Sequence, residues 1–186
     1  MSQVNFSSTS SVSFGELGPT TSLQLMFAKL QLELAETAKT QAMDKMDAIA
    51  TAQDEQKLVS QLLNEARQAK ADANSGVGND AEKTQTYEVP KEDANGNVVH
   101  DAQGNVVYET VTETVPKGNN ATFMSQEMVD YMDAHGLAYD KTGNNHSHSA
   151  DEWDVAITAL ESRLEELGTN TQQEMVYVQD YMGQYN

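Results

Sequence analysis

The sequence predicts a mainly α-helical protein, built as a long antiparallel coiled-coil helical hairpin with a small central β-meander and a short helix inserted between its arms. Three observations lead to this fold class. Residues 21–73 contain neither proline nor glycine and are rich in strong helix formers. Residues 151–186 carry a second long stripe of apolar residues at helical spacing. Between these stretches the pattern changes to short runs of β-branched residues separated by turn residues.

Composition narrows the class of protein before any motif is considered. The 186 residues are 38% hydrophobic and only 6% aromatic, which is thin for a compact globule and favours an elongated shape. The net charge of -18 argues against nucleic acid and against anionic membrane surfaces as partners. The chain has no cysteine, and no apolar run approaches the length of a membrane span. We therefore expect no disulfide framework and no direct membrane insertion.

Residues 1–20 form a serine-rich polar leader that ends in Gly18 and Pro19. The leader has no basic segment and no apolar core, so it is not a general secretory signal. Two interpretations stay open: a disordered terminus, or an export signal for a system that reads unfolded N termini. We expect a flexible export region that lies outside the folded core.

The first arm is predicted at residues 21–73, where Thr20, Thr21 and Ser22 offer helix-capping hydroxyls. Residues 23–34 are apolar over more than one narrow stripe, so this part is expected to contact more than one neighbour. Apolar residues follow at steps of three and four, as a coiled-coil seam requires. The predicted seam and self-association positions of this arm are Leu23, Phe27, Leu30, Leu34, Met46, Ile49 and Leu62.

The central segment, residues 74–121, opens on a turn rich in Asn and Gly and then predicts a small antiparallel meander over residues 85–115. Two near-copies at residues 93–100 and 101–108 place Asn95-Gly96 and Gln103-Gly104 between the valine runs. Asn-Gly is a strong signal for a hairpin turn, so both turns are predicted to be exposed. Each copy resembles half a calcium loop but lacks the closing glutamate, which favours hairpin turns over metal binding.

Residues 122–150 are predicted to hold a short helix followed by a polar loop. Ser125 is the expected N-cap, Met128, Val129 and Met132 are expected to face inward, and Gly136 ends the helix. In the loop, His146-Ser147-His148 is the only local pattern that resembles a pair of metal ligands. Because spacing fixes no third strong ligand, we interpret these histidines as solvated loop residues.

The second arm is predicted at residues 151–186, with Ser149 and Glu152 in the positions of a capping box. Gly168 interrupts this helix at a cost of about 1 kcal/mol, which a bend or a tight contact would justify. The seam and self-association positions predicted on this arm are Ile157, Leu160, Leu164, Met175, Val178 and Met182.

Catalytic patterns are not evident in the sequence. It contains no nucleophile elbow, phosphate loop or dinucleotide fingerprint, and His135 has no organised partner for general-base chemistry. We expect a protein that is not an enzyme and that uses no cofactor or metal.

Three features together resemble a known family: the serine-rich leader with the long helix behind it, residues 126–137 (QEMVDYMDAHGL) and residues 171–182 (TQQEMVYVQDYM). The chain resembles the type III secretion needle-tip and filament proteins of the EspA and SseB kind, and within that family it looks most similar to the Bordetella members. The strongest local match is Glu127, Val129, Tyr131 and Met132 with Gly136 behind them. The valine-rich central segment is larger than the family pattern leads us to expect.

The resemblance implies a secreted, extracellular subunit at the bacterial cell surface that polymerises on the needle tip into a filament or tip complex. It implies as partners other copies of the chain in a helical homopolymer, the needle subunit, translocator proteins and a cytoplasmic secretion chaperone. Such a subunit would convey translocators and effectors to host cells and act in virulence. A cytosolic acidic coiled-coil chaperone or adaptor of a secretion system is the alternative, and it predicts a small oligomer retained in the cell.

Overall fold

The computed structural model describes residues 23–28, 36–143 and 145–183. The described protein is mostly helical, with a long helix pair and a small two-stranded sheet. The chain divides into two compact units: a helical unit, from the described parts of Met1–Val59 and Leu164–Asn186, and a mixed unit, Ser60–Arg163. The predicted export region, residues 1–20, and the predicted start of the first arm lie outside the described residues.

Residues 23–28 are helical (α1), and three longer helices follow. They are α2 at Glu36–Ser75, α3 at Gln126–Ala134 and α4 at Ala150–Gly183. The end of α2 agrees with the predicted end of the first arm to within two residues. Gly76 follows the helix at a φ of 71°, in the left-handed region that glycine adopts without strain.

The helical unit contains a hydrophobic cluster formed by α1, the first part of α2 and the last part of α4. Its buried members are Leu23, Ala42, Met46, Ile49, Met175, Val178 and Met182. Lys45 Nζ lies 2.9 Å from Glu174 Oε2, and the Tyr181 hydroxyl donates to Gln41 Oε1 at 3.1 Å. Gly168 faces α2, where an added Cβ would lie 3.4 Å from Gln56 Nε2. Within this unit, earlier residues of α2 therefore contact later residues of α4, so the two helices are antiparallel here.

The mixed unit contains an antiparallel pair of strands, β1 at Lys83–Pro90 and β2 at Tyr108–Val115. Alternation along both strands turns Tyr87 and Val115 inward, where both are buried. On the opposite face the pairs are mainly threonines, such as Thr86 with Thr112. Two short strands, β3 at Thr122–Phe123 and β4 at Ser147–His148, form a second antiparallel pair.

The predicted meander is wrong in its strand order, because the first strand pairs with the last. Residues 91–107, which hold both near-copies, form the tip between β1 and β2. Lys91 N donates to Val107 O at 2.8 Å, Val107 N donates to Val99 O at 2.9 Å, and Val99 N donates to Lys91 O at 2.9 Å, which closes a ring of three hydrogen bonds. Lys91, Val99 and Val107 are separated by eight residues, which is the length of each copy, so they occupy equivalent positions in the repeat. Most residues of each copy lie in its turn, and the remaining pairings are the isolated antiparallel bridges Glu92–Val98 and His100–Val106. Neither copy therefore forms a strand of the predicted meander.

Both predicted turns within the tip are confirmed. Asp93 N donates to Asn97 O at 2.8 Å, and Asp93 Oδ1 accepts from the backbone N–H groups of Asn95 and Asn97 at 2.9 and 3.0 Å. Asp101 makes the same set of contacts with Gln103 and Asn105. Each aspartate therefore acts as an Asx-turn residue, which satisfies the backbone of a tight loop.

The short helix α3 forms as predicted. Ser125 is its N-cap, with the side-chain hydroxyl accepting from Met128 N, and Met128, Val129 and Met132 are buried. The capping box of α4 is also confirmed, because Ser149 N donates to Glu152 Oε1 at 2.8 Å and Glu152 N donates to Ser149 Oγ at 3.4 Å. These ends depend on residues within four positions of one another, which the sequence displays directly.

We expect Ser149→Ala to destabilise the mixed unit by about 1 kcal/mol, because it removes the acceptor at the start of α4. The measurement is urea unfolding followed by circular dichroism. Thr158→Ala, on an exposed position of the same helix, is the control and is expected to cause no loss. Equal midpoints for the two variants would contradict a stabilising role for this cap.

Candidate functional site

Most of the predicted self-association positions are buried in the described part of the chain. Phe27 and Leu164 are half-buried. Leu30 and Leu34 lie outside the described residues. The remaining positions are buried: Leu23, Met46, Ile49, Leu62, Ile157, Leu160, Met175, Val178 and Met182.

Apolar surface remains on α4 in the helical unit, beside the buried cluster. Val176 and Tyr177 are 49% and 50% exposed, although each lies next to a buried residue of the same helix. Lys45 Nζ lies 5.2 Å from the centre of the Tyr177 ring, and Tyr181 stacks on Tyr177 at 6.1 Å. Hydrogen bonding to Glu174 raises the pKa of Lys45, so this ammonium stays charged beside the ring. We call Val176, Tyr177 and Tyr181 the α4 patch.

A groove of about 500 Å³ lies elsewhere in the helical unit, between α1 and α2. Its apolar lining comes from Leu23, Phe27 and Ala50, and its polar lining comes from Gln24, Gln53, Asp54 and Lys57. The amide Nε2 of Gln53, one of the lining residues, is buried without a hydrogen-bond partner in the described chain. Of the broad apolar face predicted for residues 23–34, the structure describes residues 23–28, and Leu23 and Phe27 of this part line the groove.

The four predicted turn residues, Asn95, Gly96, Gln103 and Gly104, are all exposed at the tip of the mixed unit. Val98 and Tyr108 add apolar surface nearby, with 41% and 58% of their area exposed.

The interpretation of His146 and His148 as solvated loop residues is wrong. His146 is 6% exposed and His148 is fully buried. His146 Nδ1 lies 2.8 Å from Glu113 Oε1, and the His146 ring lies 4.4 Å from the Tyr87 ring. The reason is tertiary: β4 pairs with β3, and β2 brings a carboxylate to meet the imidazole.

His148 lies in an aromatic environment at the start of α4. Its ring meets the Trp153 indole edge-on at 5.1 Å, and the Tyr139 ring lies 6.1 Å away. The Tyr139 hydroxyl donates to Asp133 Oδ1 at 2.8 Å, and burial together with this hydrogen bond raises the pKa of Tyr139. Burial also raises the pKa of Tyr87, whose hydroxyl donates to Met124 O at 2.6 Å. We call His146, His148, Tyr139 and Trp153 the histidine cluster.

Sequence reasoning missed this cluster because its members come from a segment of polar composition. One signal was available: His146 and His148 alternate with Ser147, and alternation is the pattern of a strand that presents both rings to one face. Among the residues that the structure describes, no three His, Asp or Glu side chains converge in the way a metal site requires. Within the described ranges, no helix combines the length and apolar character that a membrane span needs.

Comparison of the chain with protein-family models, curated proteins and solved structures finds no match.

Proposed function

We propose that the chain is a secreted structural subunit that polymerises at the tip of a type III secretion needle. The polymer is an extracellular filament or tip complex that conveys translocators and effectors to host cells. The proposal is supported by the resemblance of residues 126–137, which comprise α3 and the three residues after it, and of residues 171–182, in the last part of α4. Its partners are other copies of the chain, the needle subunit, translocator proteins and a secretion chaperone.

The α4 patch carries the proposal. In the helical unit, α2 and α4 each bury one face against the other. Met175 and Val178 lie on the buried face of α4. Val176 and Tyr177 project from the same turns yet stay half-exposed. An aromatic and a β-branched residue in that position suit a contact between helices of neighbouring subunits. We infer that α2 and α4 are the arms of an antiparallel coiled-coil hairpin and that the α4 patch packs against another copy.

The groove between α1 and α2 is consistent with the same assembly. Its apolar lining and the amide of Gln53, which has no hydrogen-bond partner among the described residues, are features that a neighbouring subunit can cover and satisfy. The polar tip of the mixed unit, with its glycine turns, suits the outer surface of such a polymer.

Val176→Asp tests the proposal, because it places a charge in the inferred contact while leaving the buried cluster untouched. We expect the chain to fold as the wild type does, and the protein concentration needed for polymer to rise about tenfold or more. Sedimentation and negative-stain microscopy measure this effect. Val98→Asp, at a residue of similar exposure in the tip, is the matched control and should polymerise normally.

The second arm of the experiment follows secretion of the full chain and of the chain lacking residues 1–20. Deletion of the leader is expected to stop secretion and to leave thermal unfolding nearly unchanged. If the Val176→Asp protein forms as much polymer as the wild type, the α4 patch is not the contact between subunits. A wild-type protein that stays a small oligomer and is retained in the cell would favour the alternative, an acidic chaperone or adaptor.

A further inference from the structure

The imidazole of His148 is buried in the mixed unit. The residue is fully buried, and neither ring nitrogen has a hydrogen-bond partner in the described part of the chain. A neutral imidazole carries one donor and one acceptor, whereas the protonated ring carries two donors and a charge. Burial without partners is therefore tolerable for the neutral ring and costly for the protonated one.

Among the residues that the structure describes, the groups facing His148 offer its ring no hydrogen-bond partner for a proton. Trp153 and Tyr139 offer aromatic faces and edges. Burial lowers the pKa of His148, and the nearby His146 lowers it further. The carboxylates of Glu152, on α4, and of Asp140, in the preceding loop, act in the opposite direction without overcoming burial. Glu113 of β2 pairs with His146, whose Nδ1 lies 2.8 Å from Glu113 Oε1.

The position of His148 connects it to three other elements. Its backbone pairs with Thr122 of β3. The Thr122 hydroxyl accepts from Trp153 Nε1 at 2.8 Å and donates to Ala69 O of α2, also at 2.8 Å. Movement of the His148 ring would therefore disturb the β3–β4 pair and the indole that ties α4 to β3.

We propose that His148 is an acid-sensitive latch: on acidification its ring takes a proton, leaves the site beside Trp153 and opens the β3–β4 pair. The proton comes from solvent, and the exposed imidazolium gains water as its hydrogen-bond partner. The latch is a property of the mixed unit and does not depend on the proposed function.

The direction of the pH effect follows from linkage. The ordinary pKa of histidine is about 6.5, and the folded value lies below it. The closed state is thus fully stabilised above about pH 6.5 and loses stability as the pH falls through the folded pKa of His148. Because one proton is taken up on opening, the open fraction should rise about tenfold for each unit by which the pH falls between about 6.5 and the folded pKa of His148.

The full chain can be titrated directly, since Trp153 is its only tryptophan. Fluorescence is recorded from about pH 7.5 to about pH 5, above the ordinary range of carboxylate titration. The histidine ring protons are followed by NMR over the same range. We expect the His148 resonance to shift below pH 6.5 together with a red shift of Trp153 emission, as the indole meets water.

Variants separate the latch from general acid sensitivity. His148→Phe keeps an aromatic ring and removes the titration, so the Trp153 transition should disappear. His135→Gln, at an exposed position, should keep it, and His146→Gln should keep it with a higher midpoint. A transition that persists in His148→Phe would overturn the proposal. If that variant does not fold, the wild-type titration decides: a His148 midpoint at or above pH 6.5, or no change at Trp153, would overturn it.

Discussion

Met175→Asp is expected to destabilise the helical unit by about 5 kcal/mol, because it combines the loss of a buried thioether with the burial of an unpaired charge. Met175 is 3% exposed and belongs to the cluster that joins α2 to α4. Lys45 Nζ already lies 2.9 Å from Glu174 Oε2, so the new carboxylate would compete with Glu174 for this ammonium. A change of this size consumes much of the stability of an ordinary domain, so partial or complete unfolding of the unit should follow.

Val176→Asp is the matched control, since it introduces the same side chain one position along α4. Val176 is 49% exposed, so its replacement is expected to change stability by no more than about 0.5 kcal/mol. Thermal unfolding followed by circular dichroism at the helix band compares the two variants. The pair also separates two roles: Met175 holds the subunit together, and Val176 is proposed to contact a neighbour. Similar unfolding temperatures for both variants would contradict the placement of Met175 in the core.

Trp153→Ala is expected to cost the mixed unit about 3–5 kcal/mol. The indole is fully buried, contacts the His148 ring edge-on at 5.1 Å and donates from Nε1 to the Thr122 hydroxyl at 2.8 Å. Removal of the side chain leaves a large cavity at the start of α4 and takes away the donor that connects this helix to β3.

Trp153→Phe divides the effect into its two parts, because it keeps most of the apolar contact and removes the N–H donor. We expect a loss of about 1–2 kcal/mol for this variant. Val155→Ala, at a position that is 40% exposed, is the control and should be nearly neutral. Urea unfolding followed by circular dichroism ranks the three variants. A Trp153→Ala protein as stable as the Val155→Ala protein would show that the indole does not hold these elements together.

Local features of the fold were predictable because the residues that decide them are neighbours in the chain. Ser125 and Met128 lie three positions apart, and so do Ser149 and Glu152, so the starts of α3 and α4 could be recognised from spacing. The Asx turns at Asp93 and Asp101 also close within four residues. Short separations cost little chain entropy, and their geometry recurs among proteins, so a residue pattern is sufficient to indicate them.

Tertiary structure alone decided which segments pair and which polar residues are buried. Pro90 pairs with Tyr108 across the whole tip, and the near-copies close a ring of hydrogen bonds where the sequence predicted a meander. His146 meets Glu113 from 33 residues away, and the His148 ring lies beside Trp153 of α4 and Tyr139 of the preceding loop. The composition of residues 141–150 resembles that of a solvated loop. It does not reveal that the histidines are buried, because burial depends on distant partners that no local pattern contains. The sequence by itself determined the end of α2, the caps of α3 and α4 and the two turns of the tip, whereas the histidine cluster exists only because long-range contacts outweigh local polarity.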